Sequence, residues 1–124
     1  MIKYRYSLYT DLKAHLDMWR SLRWLKENNI HILYPNPWET LKLIFKQPKI
    51  DYQSDKNVTC NWVSAGNWGS YELPNEIWIC PREINNKRII EIIKHEIIHL
   101  EHEHEVQGMT HEEKEAYIIS KENS

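Results

Sequence analysis

The segment EIWICPREINNKRIIEIIKHEIIHLEHEH, residues 76–104, decides the fold. It opens with a strand-like run over residues 76–80, in which Ile77 and Ile79 share one face. After a polar connection the isoleucines recur at helical spacing, which predicts a helix over residues 87–104. The segment therefore predicts a short buried strand followed by a long amphipathic helix.

Shorter periodic stretches surround this segment and indicate an α+β fold. Asn36 and Pro37 are typical of a helix start, since Asn caps well and Pro fits the first helical position. Thr110 is a second candidate cap. We predict strands over residues 1–9, 30–34, 58–64, 71–73 and 76–80, and helices over 11–28, 37–47, 87–104 and 111–121.

The length and composition of the chain predict one globular domain. A chain of 124 residues has room for a single core. No apolar run approaches the ~20 residues that cross a bilayer, and residues 1–10 lack the apolar centre of a signal peptide. We therefore expect a cytoplasmic protein with no membrane partner. Cys60 and Cys80 lack CxxC spacing, so we expect buried free thiols rather than a zinc knuckle or a redox pair.

Charge is distributed unevenly along the chain. Residues 1–50 hold nine Lys and Arg against four Asp and Glu, whereas residues 91–124 hold three against nine. A basic region is one feature of nucleic-acid-binding proteins. These basic residues form no compact cluster, so we expect them on solvated helix faces, and a nucleic-acid partner stays a third, less favoured alternative that rests on the basic N-terminal half alone.

The helix over residues 87–104 carries an HExxH motif, His95-Glu96-Ile97-Ile98-His99. Residues four apart lie one above the other on a helix, so His95 and His99 can present two nitrogens to one ion at ~2.0–2.1 Å. Glu96 lies next to the first histidine, where it can take a proton from a zinc-bound water and return it to a leaving amine. The motif predicts a catalytic zinc site, and the alternative is a solvated His/Glu-rich helix face.

A catalytic zinc ion takes three protein ligands, and several residues are candidates for the third. His102 shares the histidine face but lies a turn further along the helix, so we expect His102 and His104 to flank the site. The other candidates follow the Gly108 turn and are His111, Glu112, Glu113 and Glu115. Thr110 and Glu113 also match a capping box, which accounts for Glu113 without a metal.

Residues 77–117 resemble the catalytic core of compact zincins, in which a strand, an HExxH helix, a turn and a ligand-bearing helix follow one another. The order resembles that of gluzincins, and especially the ImmA/IrrE-like group, in which a Glu-x-x-Ala step follows the motif. SprT-like peptidases, which use a third histidine, and minigluzincins are similar in outline. By this resemblance the chain is one zincin-like domain, residues 1–124. The Glu-x-x-Ala step begins at Glu113, so the resemblance makes Glu113 the third zinc ligand.

The expected function is peptide-bond hydrolysis by a zinc metallopeptidase with Zn²⁺ on His95, His99 and Glu113 and with Glu96 as the catalytic base. The expected partner is a peptide or protein substrate. By the same resemblance an edge strand, over residues 58–64 or 71–73, pairs with the substrate. Tyr71 and Tyr117 are candidates for stabilising an oxyanion. The alternative is a metal-binding regulatory or interaction protein with a zincin fold and little turnover.

Overall fold

The computed structural model describes residues 1–122 and confirms the α+β fold. None of the helices in this range combines the length and the apolar character that crossing a bilayer requires. The strands are β1 (Ile2–Arg5), β2 (Val58–Trp62), β3 (Gly69–Glu72) and β4 (Glu76–Ile79), and the α-helices are α1 (Leu8–Arg20), α2 (Leu22–Glu27), α3 (Pro37–Phe45), α4 (Asn86–His102) and α5 (His111–Glu122).

The four strands form one mixed sheet in the order β1-β2-β4-β3. β1, β2 and β4 are parallel, with Ile2 beside Val58 and Cys60 beside Ile77. β3 runs antiparallel to β4, with Tyr71 beside Ile77. Parallel strands require a long crossover, and α1, α2 and α3 all lie in the connection between β1 and β2. As a result β2 is interior and β3 is an edge strand.

The core lies between this sheet and the apolar stripe of α4. The helix begins after Asn85, whose side chain accepts a hydrogen bond from the Arg88 backbone N–H at 2.9 Å. Isoleucines at helical spacing on α4 face the sheet and pack against one large aromatic side chain and further isoleucines of its strands. The fully or nearly fully buried members are Trp62, Ile77, Ile79, Ile89, Ile92, Ile93 and Ile97.

Strand β3 approaches α4 closely because residue 69 is a glycine. A β-carbon at this position would overlap the Cγ2 atom of Ile92 and lie 3.4 Å from the Cγ atom of Glu96. The absence of a side chain at Gly69 therefore lets the edge strand lie directly against the helix that carries the HExxH motif.

The N-terminal elements differ from those that periodicity predicted. The strand ends at Arg5 rather than at residue 9, because the Ser7 side chain caps α1 and accepts a hydrogen bond from the Thr10 N–H. The helix predicted over residues 11–28 is divided at Ser21 into α1 and α2. Alternation of apolar residues did not reveal the cap at Ser7.

The segment between α2 and α3 is not the strand predicted over residues 30–34. Within it, Leu33 makes an isolated antiparallel bridge with Gly66 through hydrogen bonds of 2.6 and 2.8 Å. The predicted start of α3 is confirmed, since the Asn36 side chain accepts a hydrogen bond from the Trp38 N–H at 3.0 Å.

A buried carboxylate fastens the N-terminal helices to the end of β2. Asp11 is fully buried, and its two oxygens accept hydrogen bonds from the Ser64 N–H at 2.9 Å, the Ser64 hydroxyl at 2.7 Å and the Tyr6 hydroxyl at 2.7 Å. The Thr40 hydroxyl of α3 lies 2.9 Å from that of Ser64. α1 and α3 therefore meet around one hydrogen-bonded group, as buried charge requires.

Candidate metal centre

Helix α4 brings the two histidines of the motif together. His95 and His99 are one helical turn apart, and their Nε2 atoms lie 3.2 Å from each other with the rings at an interplanar angle of 78°. His99 is 3% exposed, so one of the two imidazoles is held inside the protein. The spacing of the motif therefore produces the convergence of nitrogens that the sequence predicted.

Helix α5 adds one carboxylate to this pair, and it is Glu115. Its Oε2 atom lies 3.0 Å from the Nε2 atom of His95, and its Oε1 atom lies 3.0 Å from that of His99. One donor atom from each of the three residues falls within a set whose members are all within 4.8 Å of one another. The described residues contain no other such group.

Glu113, the predicted third ligand, does not join the histidines. It is exposed, and it makes the capping box with Thr110 through the Thr110 N–H to its side chain at 3.3 Å and its own N–H to the Thr110 hydroxyl at 3.2 Å. Residues two apart on a helix point about 200° apart, so only one of Glu113 and Glu115 can face α4. The structure therefore groups Glu115, and not the predicted Glu113, with the two histidines.

The other candidate ligands lie away from the cluster. His111 packs its ring against Trp24 at a centroid distance of 5.3 Å. The α-helix ends at His102, and a single 3₁₀ turn over Glu103–Glu105 follows. The Nδ1 atom of His102 lies 2.6 Å from Glu105, and His104 is largely exposed. Glu112 is exposed on α5.

Glu96 lines the same groove as His95 and His99 but is nearly excluded from solvent. It is 5% exposed, and its Oε2 atom has no hydrogen-bond partner. Burial raises the pKa of this carboxyl to about 7, against the attraction of His99 and His95. A buried and unpartnered carboxylate oxygen is costly to keep, which is typical of a group retained for chemistry.

The interaction between His95 and Glu115 favours the charged form of both side chains. The hydrogen bond with Glu115 raises the pKa of the His95 imidazole to about 9, although burial acts in the opposite direction. Burial also acts to raise the pKa of Glu115, but the hydrogen bonds from the two imidazoles outweigh it and hold the pKa well below its ordinary range.

Two neighbouring side chains hold the imidazoles in place, and neither contact was predicted from the sequence. The Nδ1 atom of His95 contacts the Glu122 carboxylate in a short hydrogen bond. Tyr71 of β3 stacks on His99 at a centroid distance of 4.6 Å, and its hydroxyl donates to Glu103. Glu115, the buried Ile118 and Glu122 form a stripe at helical spacing on α5, and this stripe was the available signal for Glu122.

The cluster opens on a groove of about 920 Å³. Edge strand β3 and the cluster line one part of the groove, and the remaining lining includes residues of α1, α2, the loop that follows β2 and the start of α5. Of the two predicted substrate strands, the one over residues 58–64 is interior and hydrogen-bonded on both sides, so it has no free edge. Tyr117 donates to Glu105 and does not line this groove, in contrast to Tyr71.

The residues of the cluster fit a divalent cation. Tetrahedral coordination at ~2.0–2.1 Å places ligand atoms ~3.3 Å apart, close to the separations of 3.0 to 3.2 Å between the nitrogens and oxygens here. Two Nε2 lone pairs that face each other repel unless a proton or a cation lies between them. Two histidines and one carboxylate are also a donor set that leaves zinc a free position.

No protein-family model matches this chain, and comparison with curated proteins and with solved structures gives no match either. The resemblance to zincins stays a prediction, and the function proposed below is supported by the residues and the geometry of the site.

Proposed function

We propose that the chain is a zinc-dependent metallopeptidase that acts on a peptide or protein substrate. The observation that carries this proposal is the meeting of His95, His99 and Glu115 beside a buried carboxylate, Glu96, in the wall of a groove. A stabilising ion pair alone does not explain why Glu96 is buried without a partner for Oε2.

In this proposal His95, His99 and Glu115 hold the zinc ion. When bound, zinc lowers the pKa of a coordinated water and polarises a carbonyl group. Glu96 has the chemistry of a general base that takes a proton and then returns it to the leaving nitrogen. Its burial keeps bulk water away from that carboxylate.

One feature of the groove suits an extended peptide. The outer edge of β3 is unpaired within residues 1–122, so its backbone groups are available to an extended main chain. The Tyr71 hydroxyl is occupied by Glu103 at 2.5 Å, so it supports His99 by stacking rather than reaching toward a substrate carbonyl. We therefore assign no oxyanion role to Tyr71 or Tyr117.

One observation favours the alternative, a metal-binding regulatory or interaction protein with little turnover. Both carboxylates that contact His95, Glu115 and Glu122, belong to α5, so a bound ion would also fasten α5 to α4. An ion with this structural role requires no base, however, and leaves Glu96 unexplained.

The first test measures bound metal by elemental mass spectrometry on the untagged chain. We expect about one zinc ion per chain in the natural protein and almost none in His99→Ala or Glu115→Gln. Glu113→Gln is the matched control, since it changes a neighbouring carboxylate on the same helix, and we expect it to retain zinc. Absence of stoichiometric metal in the natural chain would overturn the proposal.

A second test separates hydrolysis from metal binding alone. The zinc-loaded chain is incubated with a mixture of quenched fluorescent peptides and with denatured protein, and cleavage is followed by fluorescence and mass spectrometry. Cleavage that a zinc chelator stops and added zinc restores supports the peptidase. A chain that holds zinc but cleaves nothing in either pool supports the alternative.

A further inference from the structure

Exposed apolar side chains are concentrated in the N-terminal helices, away from the metal centre. Of the fourteen exposed large hydrophobic residues among residues 1–122, eleven lie between Leu8 and Phe45. Isolated exposed hydrophobic residues are ordinary, but a contiguous group marks a site of interaction. The residues considered below do not line the groove of the candidate metal centre.

Helix α3 carries the most exposed part of this surface. Trp38 is 73% exposed and Phe45 83% exposed, and Leu41 lies between them at helical spacing. Lys42 and Lys46 are exposed beside this stripe. Large aromatic side chains that project from a helix flanked by lysines are typical of helices that lie in the interface of a membrane.

Helix α1 carries a second exposed apolar stripe. Leu12, Leu16 and Trp19 lie at helical spacing and are each more than half exposed. The Trp19 ring lies 6.4 Å from that of Tyr34, in the segment that leads into α3. We call the exposed side chains Leu12, Leu16, Trp19, Trp38, Leu41 and Phe45 the apolar face.

The stretch of chain that carries the apolar face has a net positive charge, although Lys42 forms an ion pair with Glu39 at 3.3 Å. Residues 8–49 contain seven Lys and Arg and four Asp and Glu, and one of the four, Asp11, is fully buried. A second copy of the chain would bring the same positive charge to the same surface, which disfavours self-association through it. An anionic surface complements both the charge and the apolar side chains.

We propose that the apolar face binds the surface of an anionic lipid bilayer, with Trp38 and Phe45 inserted at the level of the headgroups. The sequence predicts no membrane partner, because no run of residues is long and apolar enough to span a bilayer. Binding at the interface requires only a helix that is apolar on one side and cationic beside it. This inference goes beyond the proposed hydrolysis and does not depend on it.

The test is co-sedimentation of the full chain with vesicles of phosphatidylcholine alone and of phosphatidylcholine with phosphatidylglycerol. We expect binding to the anionic vesicles, little binding to the neutral ones, and loss of binding as salt is added. Trp38→Ala with Phe45→Ala, and separately Lys42→Gln with Lys46→Gln, should each weaken binding by about tenfold or more.

Matched variants elsewhere on the surface are the controls. Leu73→Ala with Ile119→Ala removes two other exposed apolar side chains, and Lys3→Gln with Lys87→Gln removes two other exposed lysines. Both should bind as the natural chain does, and all variants should keep its unfolding temperature. The proposal is overturned if anionic vesicles do not bind the chain, or if control and test pairs lose binding equally. It is also overturned if the chain forms a dimer that Trp38→Ala with Phe45→Ala abolishes while vesicles remain unbound.

Discussion

The N-terminal helices and the α4–α5 pair depart in opposite ways from the usual burial of apolar side chains and exposure of charged ones. α1 and α3 leave large apolar side chains exposed, whereas α4 and α5 enclose titratable ones, with Glu96 5% exposed and His99 3% exposed. Neither arrangement stabilises the fold. Apolar side chains that stay exposed contribute no hydrophobic free energy to folding, and charged groups that are enclosed lose their hydration. The stability comes from the sheet and the buried stripe of α4, and the two unusual regions are where we propose function.

The largest effect should come from the α4–α5 side. Glu96→Gln removes the carboxylate but keeps its shape, so zinc content should be retained while peptide cleavage falls by about a hundredfold to ten-thousandfold. Rates and bound zinc are measured on the same preparations. Equal rates for the variant and the natural chain would show that Glu96 is not the base, and the enclosed carboxylate of α4 would then have no catalytic role.

The next largest effect is expected on the free energy of unfolding, when a side chain of the core between the two regions is truncated. Ile93→Ala should lower the free energy of unfolding by about 2–5 kcal/mol because it leaves a cavity in the core. Leu16→Ala, a truncation on the apolar face, should change it by less than about 0.5 kcal/mol. Urea unfolding measures both. A large loss for Leu16→Ala would mean that the apolar face supports the fold rather than a partner.

Much of the α4 side was predictable because its signals are local. The strand over 76–79, the long helix and the pairing of His95 with His99 all follow from spacing within one segment. The choice of Glu115 over Glu113 was not, because it depends on how α5 rotates against α4. The capping box that fixes the start of α5 also turns Glu113 away, and the predicted ligand followed a sequence resemblance instead.

The N-terminal side was predicted less well because its structure depends on contacts distant in the sequence. The Ser7 cap ends β1 early, and Leu33 bridges to Gly66 in place of a strand. Asp11 is buried only because Ser64 and Tyr6 satisfy it. Periodicity within a short window contains no record of these partners.

A smaller effect is expected at Glu122, whose carboxylate contacts the outer nitrogen of His95. Carboxylates in this position orient a ligating imidazole, and their loss typically weakens metal binding by 10–100-fold. Glu122→Gln should therefore lower zinc affinity by about tenfold or more in a competition with a chromophoric chelator. Glu112→Gln, an exposed carboxylate on the same helix, is the control. Equal affinities for the two variants would contradict this role.

The smallest effect is expected at the two thiols, which lie in the core between the regions. Cys60 and Cys80 are fully buried, and burial raises the pKa of the Cys80 thiol to about 12. Raising the solvent pH from 7 to 9 should therefore leave the native thiols unreactive toward an aromatic disulfide reagent, since thiolate is the reactive form. Both should react in urea. Rapid labelling of the native chain would show that this core opens easily.

The parallel pairing of β1 with β2 determines the order in which the chain can fold during synthesis. β1 has no partner until Val58–Trp62 has left the ribosome, so the first strand waits while α1, α2 and α3 are made. The hairpin of β3 and β4 and the adjoining α4 involve only short loops and can form at once when they emerge. The segment that carries His95 and His99 can therefore form from local contacts alone, whereas β1 pairs only after α1, α2, α3 and β2 have been made.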